Sequence, residues 1–295
     1  MNTLPKRRLS SLLITGVALS LLGTGTANAA TPVPAPAAEK ASNAERAAAA
    51  KEVAQGSVQA PPRGKAAATH NPLYKTGVLP TLKCSPGGIR KGSSASYRQF
   101  MTRVNTCLNN AWKRQFKKAR LSFSKPRLRF VTKSVKSPCG GWPTGAAGMY
   151  CSANRTMYIA VTKQAIREGF ALGAAKLMAH EYAHHVQTIS GIGPNYYFPS
   201  YHRARGKARL ELSRRFELQA DCMSTAFLRS VRSTLPVRAY EWEGMLDWIR
   251  QNGHKTWPQN DHGKGYSQVY WAKRGYSSGG LRMCNTWTAP DRRVA

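Results

Sequence analysis

Residues 178–187 read "MAHEYAHHVQ". The stretch sets His180, His184 and His185 and one glutamate, Glu181, inside an apolar run that includes Phe170, Ala171, Leu172 and Leu177 before it and Val186 within it. On a helix, His180 and His184 stand four residues apart, so their rings project from one face about one turn from each other. Two imidazole nitrogens so placed can meet one cation at about 2.0–2.1 Å. Glu181 is offset around the helix and can reach a water on that cation without displacing it. This is the spacing H-E-x-x-H, in which the glutamate serves as general base. The plain alternative is a helix with surface histidines. The apolar flanks weigh against it, because unpaired polar burial costs several kcal/mol and a metal supplies the missing partner. His185 points about 100° away from His184 and reads as a packed histidine.

Two histidines need a third protein ligand. Residues 217–221, "ELQAD", place Glu217 and Asp221 four apart on one face of a second helical pattern. That spacing suits Glu217 as the ligand, with Asp221 accepting from the free ring N–H of a ligand histidine, most simply His180. The swapped arrangement, with Asp221 on the metal, stays open. Cys222 lies about 140° around the helix from Glu217 and reads as a disulfide partner. His254 and His262 fall in the C-terminal stretch, where either could fold over a cleft. One of them, or a tyrosine from Tyr196–Tyr197, is a candidate for stabilising an oxyanion.

Outward from this centre, Tyr97, Phe100, Met101, Val104, Cys107, Leu108, Ala111, Trp112 and Phe116 recur at steps of three and four and predict an amphipathic helix. Its polar face carries Arg103, Lys113, Arg114, Lys117 and Lys118. Leu128, Phe130 and Thr132 alternate with Arg127, Arg129 and Val131 and predict a strand. Residues 149–161 predict a hairpin around a Ser-Ala-Asn-Arg turn. A long helical region over 162–189 is expected to break near Gly169 or Gly173, and helices are expected over 208–232 and from Pro236 to Gly253. The Gly-, Ser- and Trp-rich stretch from there to Trp287 reads as loop. The class is α+β, mostly helical, with a small sheet or hairpin ahead of the histidine-bearing helix.

Residues 1–29 combine a basic start (Lys6, Arg7, Arg8), an apolar run over 12–22 and an Ala27-Asn28-Ala29 cleavage pattern, which reads as a secretory signal peptide. Residues 30–70 are rich in Ala, Pro and Lys and read as a linker or propeptide, with a transient helix over 44–54, and the folded part is expected to begin near Leu73. Residues 71–295 form the expected domain. Six cysteines in an exported chain favour disulfides. Pairing neighbours in sequence gives Cys84–Cys107, Cys139–Cys151 and Cys222–Cys284. The formal net charge is +32, from 45 Lys and Arg against 13 Asp and Glu. Such a surface attracts polyanions, anionic cell-wall polymers among them. Charge of this kind speaks to association and not to fold.

Taken together, "AHEYAHHVQ", "ELQADC", "DHGKGYSQVYWAKRGYSSGG…CNTW" and the earlier "CGG…MYCSANRTMYIA" resemble the bacterial putative neutral zinc metallopeptidase family, from about residue 95 to residue 287. The resemblance implies a zincin-like fold and a gluzincin-like site, with His180, His184 and Glu217 on Zn2+ and Glu181 catalytic. It also favours His262 over His254 as a cleft residue. By analogy with zincins, the strand at 157–161 would form the cleft rim and pair with an extended substrate. This chain has Ala183 where the family usually has Gly, and Asn154, Ala160 and Gly280 where it often has Asp, and none of these is an inferred ligand. The expectation is a secreted, zinc-dependent metallopeptidase acting on a protein or peptide, with no membrane span in the mature chain. A zinc hydrolase acting on a non-protein amide is a variant of it. The alternative is an exported cationic protein that binds a polyanion or the cell wall and keeps a structural or inactive zinc site.

Overall fold

The computed structural model describes residues 57–235 and 237–295. The leader through residue 29, the 44–54 stretch and Pro236 lie outside the described residues. The rest is mostly helical with one small sheet, an α+β arrangement.

The helix predicted around Trp112 is α2, Ser94–Lys118, preceded by the short α1, Lys65–Thr69. The Ser93 side chain caps α2, accepting from the Ser96 backbone N–H at 3.2 Å, a device worth about 1 kcal/mol. The apolar stripe from Tyr97 to Phe116 is buried, and Arg103, Lys113, Arg114, Lys117 and Lys118 are exposed. The three strands are β1 (Arg127–Val131), β2 (Gly148–Cys151) and β3 (Thr156–Ala160), in the order β1-β3-β2. β3 pairs parallel with β1 and antiparallel with β2. β3 therefore has ladder partners on both sides. The expectation that it would rim the cleft and accept a substrate strand is corrected: β2 is the edge on that side.

The long helical region divides into α3, Lys163–Glu168, and α4, Ala171–Ile189, broken at Gly169, whose φ of 59° is left-handed. Next come α5 (Phe198–Arg203), α6 (Gly206–Ser230) and α7 (Ala239–Asn252). The C-terminal stretch is not loop: it forms α8, Gly265–Ser278, followed by short 3-10 turns. Its many glycines weaken the helical signal, but Val269, Ala272 and Gly275 are buried at steps of three. α8 packs closely on α6. At Gly275 a Cβ would strike the Cys222 carbonyl oxygen and the Thr225 hydroxyl.

Ordered structure also begins upstream of Leu73. Asn71 is buried and donates through Nδ2 to the carbonyls of Ala67 (2.8 Å) and Ser190 (2.9 Å), which pins α1 to the end of α4. Ala68 joins a small cluster with Ile192, Tyr197, Phe216 and Trp287, beside the main core. Disulfides join Cys84 to Cys107, Cys139 to Cys151 and Cys222 to Cys284. The last ties α6 to the C-terminal turns. Among the described residues no helix is long and apolar enough to cross a membrane.

Gly275→Ala forces α8 away from α6. Overpacking of this kind costs about 1–3 kcal/mol, so the melting temperature should fall by roughly 3–10 °C, measured by calorimetry. An unchanged melting temperature would contradict the close packing.

Candidate metal centre

α4 and α6 lie against each other, and one turn of each faces the other across a cleft. α4 contributes His180 and His184; α6 contributes Glu217. The two Nε2 atoms are 3.2 Å apart. Glu217 Oε2 lies 3.3 Å from His180 Nε2 and 3.1 Å from His184 Nε2. The three side chains keep 15%, 12% and 14% of their surface exposed, enough to be reached from the cleft and little enough to be mostly dry.

The groups behind the rings fix which nitrogen faces inward. His180 Nδ1 is 3.1 Å from Asp221 Oδ1, a carboxylate that can only accept. Lys176 Nζ holds the same oxygen at 2.7 Å. His184 Nδ1 is 2.9 Å from Gln187 Oε1. The Gln187 amide cannot turn over, because its Nε2 donates to the Phe216 carbonyl (2.8 Å) and to Gln219 Oε1 (3.0 Å). Both Nδ1 atoms therefore donate, and in the neutral rings both Nε2 atoms present lone pairs to the same point as Glu217 Oε2. Gln219 is itself held: its Nε2 donates to the Tyr74 hydroxyl at 2.7 Å, and Trp287 Nε1 donates to its Oε1 at 3.2 Å. Phe216 stacks on His184 at 5.1 Å between centroids, and Tyr197 stacks on Phe216 at 4.0 Å.

Three lone pairs aimed at one point repel unless something positive sits among them. Glu217 Oε2 is buried, and while both Nε2 atoms are unprotonated it has no hydrogen-bond donor, a costly state for a carboxylate oxygen. His180, His184 and Glu217 are also the three residues among those described whose ligand atoms lie within 4.8 Å of one another. The two-nitrogen, one-oxygen donor set suits zinc and leaves a fourth tetrahedral position open. Asp221 stays behind His180 rather than joining the ligand atoms.

Electrostatics match this geometry. Burial opposes a charged His180, yet the Asp221 and Glu217 carboxylates outweigh it and raise its pKa to about 10. Burial likewise opposes a charged His184, and Glu217 raises it. Glu217 is held well below the usual range: burial pushes it up, but His184 and His262 more than compensate. Without a cation, the carboxylates favour protons on these rings.

Glu181 is buried beside the ligands, and burial raises its pKa against the pull of His180 and His184. It packs against the start of β2. A Cβ at Gly148 would come 2.9 Å from both Glu181 Cγ and Oε1, so only glycine leaves room for the carboxyl there. His262 enters from the loop before α8: its ring stacks on Trp257 at 4.0 Å, Nδ1 meets Asp261 Oδ1 at 2.6 Å, and Nε2 is 3.5 Å from Glu217 Oε2. His254 is exposed and does not line the cleft. Tyr197 lines the cleft, whereas Tyr196 packs on Trp287. His185 is buried between the Tyr150 hydroxyl (3.0 Å) and the Ser124 carbonyl (2.7 Å), and burial lowers its pKa to about 4. Sequence reasoning missed Lys176, Gln187, Gln219, Trp257 and Asp261. Lys176 and Gln187 could have been found by spacing, one turn from His180 and from His184 on the same helix.

Two histidines one turn apart on one helix, a carboxylate from a second helix and a buried glutamate beside them form a group of the H-E-x-x-H class that could hold a metal ion. The chain belongs to the family described as putative neutral zinc metallopeptidase, whose model matches residues 81–287. It is similar to the Escherichia coli K12 protein carrying the name uncharacterized protein YpfJ, 26% identical over 206 residues that cover 64% of this chain and 71% of that one. It is also similar to the uncharacterized protein Rv2575 of Mycobacterium tuberculosis, 23% identical over 197 residues that cover 57% of this chain and 64% of that one. No solved structure matches the chain.

Because zinc must displace the proton that the Asp221 and Glu217 carboxylates favour on His180, zinc binding at neutral pH should release protons, read by calorimetry in buffers of differing ionisation enthalpy. Apparent zinc affinity should climb with pH, since the raised histidine pKa values keep protons in competition below them. Asp221→Asn should weaken zinc binding roughly 10- to 100-fold, measured by chelator competition. Affinity independent of pH, or untouched by Asp221→Asn, would contradict the arrangement.

Proposed function

We propose that this protein is an exported zinc-dependent peptidase that hydrolyses peptide bonds. The observation that carries the reading is the convergence of His180, His184 and Glu217 with Glu181 buried at their side, in a cleft of about 1290 Å³. Export is supported by the leader-like residues 1–29 and by three disulfides, which persist in oxidising compartments.

A zinc ion held by His180, His184 and Glu217 would supply a Lewis acid and lower the pKa of water toward ~7. Glu181 takes the proton from the attacking water and passes it to the leaving amine; its burial moves it toward the range where a carboxylate can do both. Asp221 and Gln187 hold the two ligand rings in the inward tautomer. His262 faces the same space. With Nδ1 held by Asp261, its Nε2 is the ring atom left to meet the developing oxyanion. β2, with no strand on its outer side among the described residues, can take an extended peptide by strand addition next to Glu181.

Glu181→Gln should keep stoichiometric zinc and lose hydrolysis by about 10²–10⁴-fold. The measurement is cleavage of a generic protein by the zinc-loaded chain, alongside metal analysis of both forms. Zinc bound in both forms with no hydrolysis by either would overturn the reading in favour of a binding protein.

A further inference from the structure

The cleft is charged opposite to the chain that builds it. Lys and Arg outnumber Asp and Glu 45 to 13 in the sequence. The cleft wall reverses this: it carries Glu168, Glu181, Glu217, Asp221, Glu241 and Asp261 against Lys176 alone, with no arginine. Among the described residues, the acids outside the cleft are all ion-paired. Glu211 and Asp291 meet Arg215, Glu243 meets Lys273 and Asp247 meets Arg250. Within the cleft, four of the six serve the metal centre or its supports. The other two, Glu168 at the end of α3 and Glu241 in the first turn of α7, form no ion pair among the described residues. Glu168 accepts from Gln164 at 2.8 Å. Arg238 senses the charge of Glu241 but donates to the Tyr240 hydroxyl at 2.9 Å. In a chain so rich in cations, a carboxylate outside any ion pair is the exception.

A second feature accompanies each of them. Among the described residues, large apolar side chains left exposed are few, and three of these line this cleft: Phe170, two residues from Glu168, and Tyr240 and Trp248, which share α7 with Glu241. A wall that carries both carboxylates and exposed aromatic rings matches lysine and arginine, whose stems are apolar and whose heads are cationic. The chain's net charge of +32 does not cancel this attraction. At physiological salt, charges more than about 8 Å away are largely screened, so a peptide in the cleft senses the cleft's own carboxylates.

We propose that the cleft selects peptide segments bearing lysine or arginine, with Glu168 and Glu241 as the residues that receive those side chains. As a statement about cleavage this rests on the peptidase reading; as a statement about binding it stands apart from it. The test uses matched peptides with one apolar core and Lys, Gln or Glu at the flanking positions. Their kcat/KM values are measured on the zinc-loaded full chain and on the Glu168→Gln, Glu241→Gln double variant. Anisotropy of the labelled peptides on zinc-loaded Glu181→Gln, with and without the double change, reads binding without turnover. The Lys peptide should be favoured over the Gln peptide, and the double change should narrow that ratio roughly tenfold, through KM and in low salt more than high. A Lys-to-Gln ratio near one, or a ratio the double change leaves alone, overturns the proposal. Selective binding without cleavage sinks the peptidase reading alone.

Discussion

Everything at this centre depends on one interhelical constraint: the Glu217 carboxylate on α6 must stay within 3.1–3.3 Å of two imidazoles on α4. An oxygen and two nitrogens presenting lone pairs to one point do not stay together by their own attraction. The surrounding structure holds them. On one side α8 packs on α6 through Gly275, and the Cys222–Cys284 bridge fastens the helix one residue beyond Asp221. On the other, Phe216 and Tyr197 stack beneath His184, and Asn71 ties the end of α4 to the residues before it. The cost of converging these donors is spread over the fold, and a cation recovers it.

The polar shell adds direction to that rigidity. Lys176 and Asp221 stand behind His180; Gln187, Gln219, Tyr74 and Trp287 stand behind His184. Each link uses up an acceptor or donor that would otherwise let a ring turn. The small sheet contributes differently. Gly148 opens space for Glu181, while Tyr150, two residues along β2, holds His185. One short edge strand thus positions Glu181 from outside the helices that carry His180, His184 and Glu217. Around this centre the chain's distribution of charge divides, with cations on the exposed face of α2 and unpaired carboxylates turned to the cleft.

How much of this could be read in the residues differs by element. α2 was legible because its apolar stripe is unbroken from Tyr97 to Phe116. The pairing of His180 with His184, and of Glu217 with Asp221, was legible because a one-turn spacing places two side chains on one face whatever surrounds them. That the two pairs meet is a fact of packing between helices, which spacing alone does not give. α8 was not legible: its glycines serve close approach, Gly275 to α6 and Gly265 to the end of α7, a reason that exists only in three dimensions. The roles of the strands were misjudged for a similar reason. Alternation marks a strand, but which strand lies at the edge depends on topology, and here β3 sits between β1 and β2. The ordered start before Leu73 was missed because Ala67 and Ala68 look like linker until they are buried.

The account stands on three side chains sharing one divalent ion, and X-ray absorption at the zinc edge of the loaded protein tests that most directly. It should show one zinc per chain with nitrogen and oxygen scatterers at about 2.0–2.1 Å and the outer-shell pattern of two imidazoles. A sulfur scatterer at about 2.3 Å, a single imidazole, or the absence of stoichiometric zinc would contradict it.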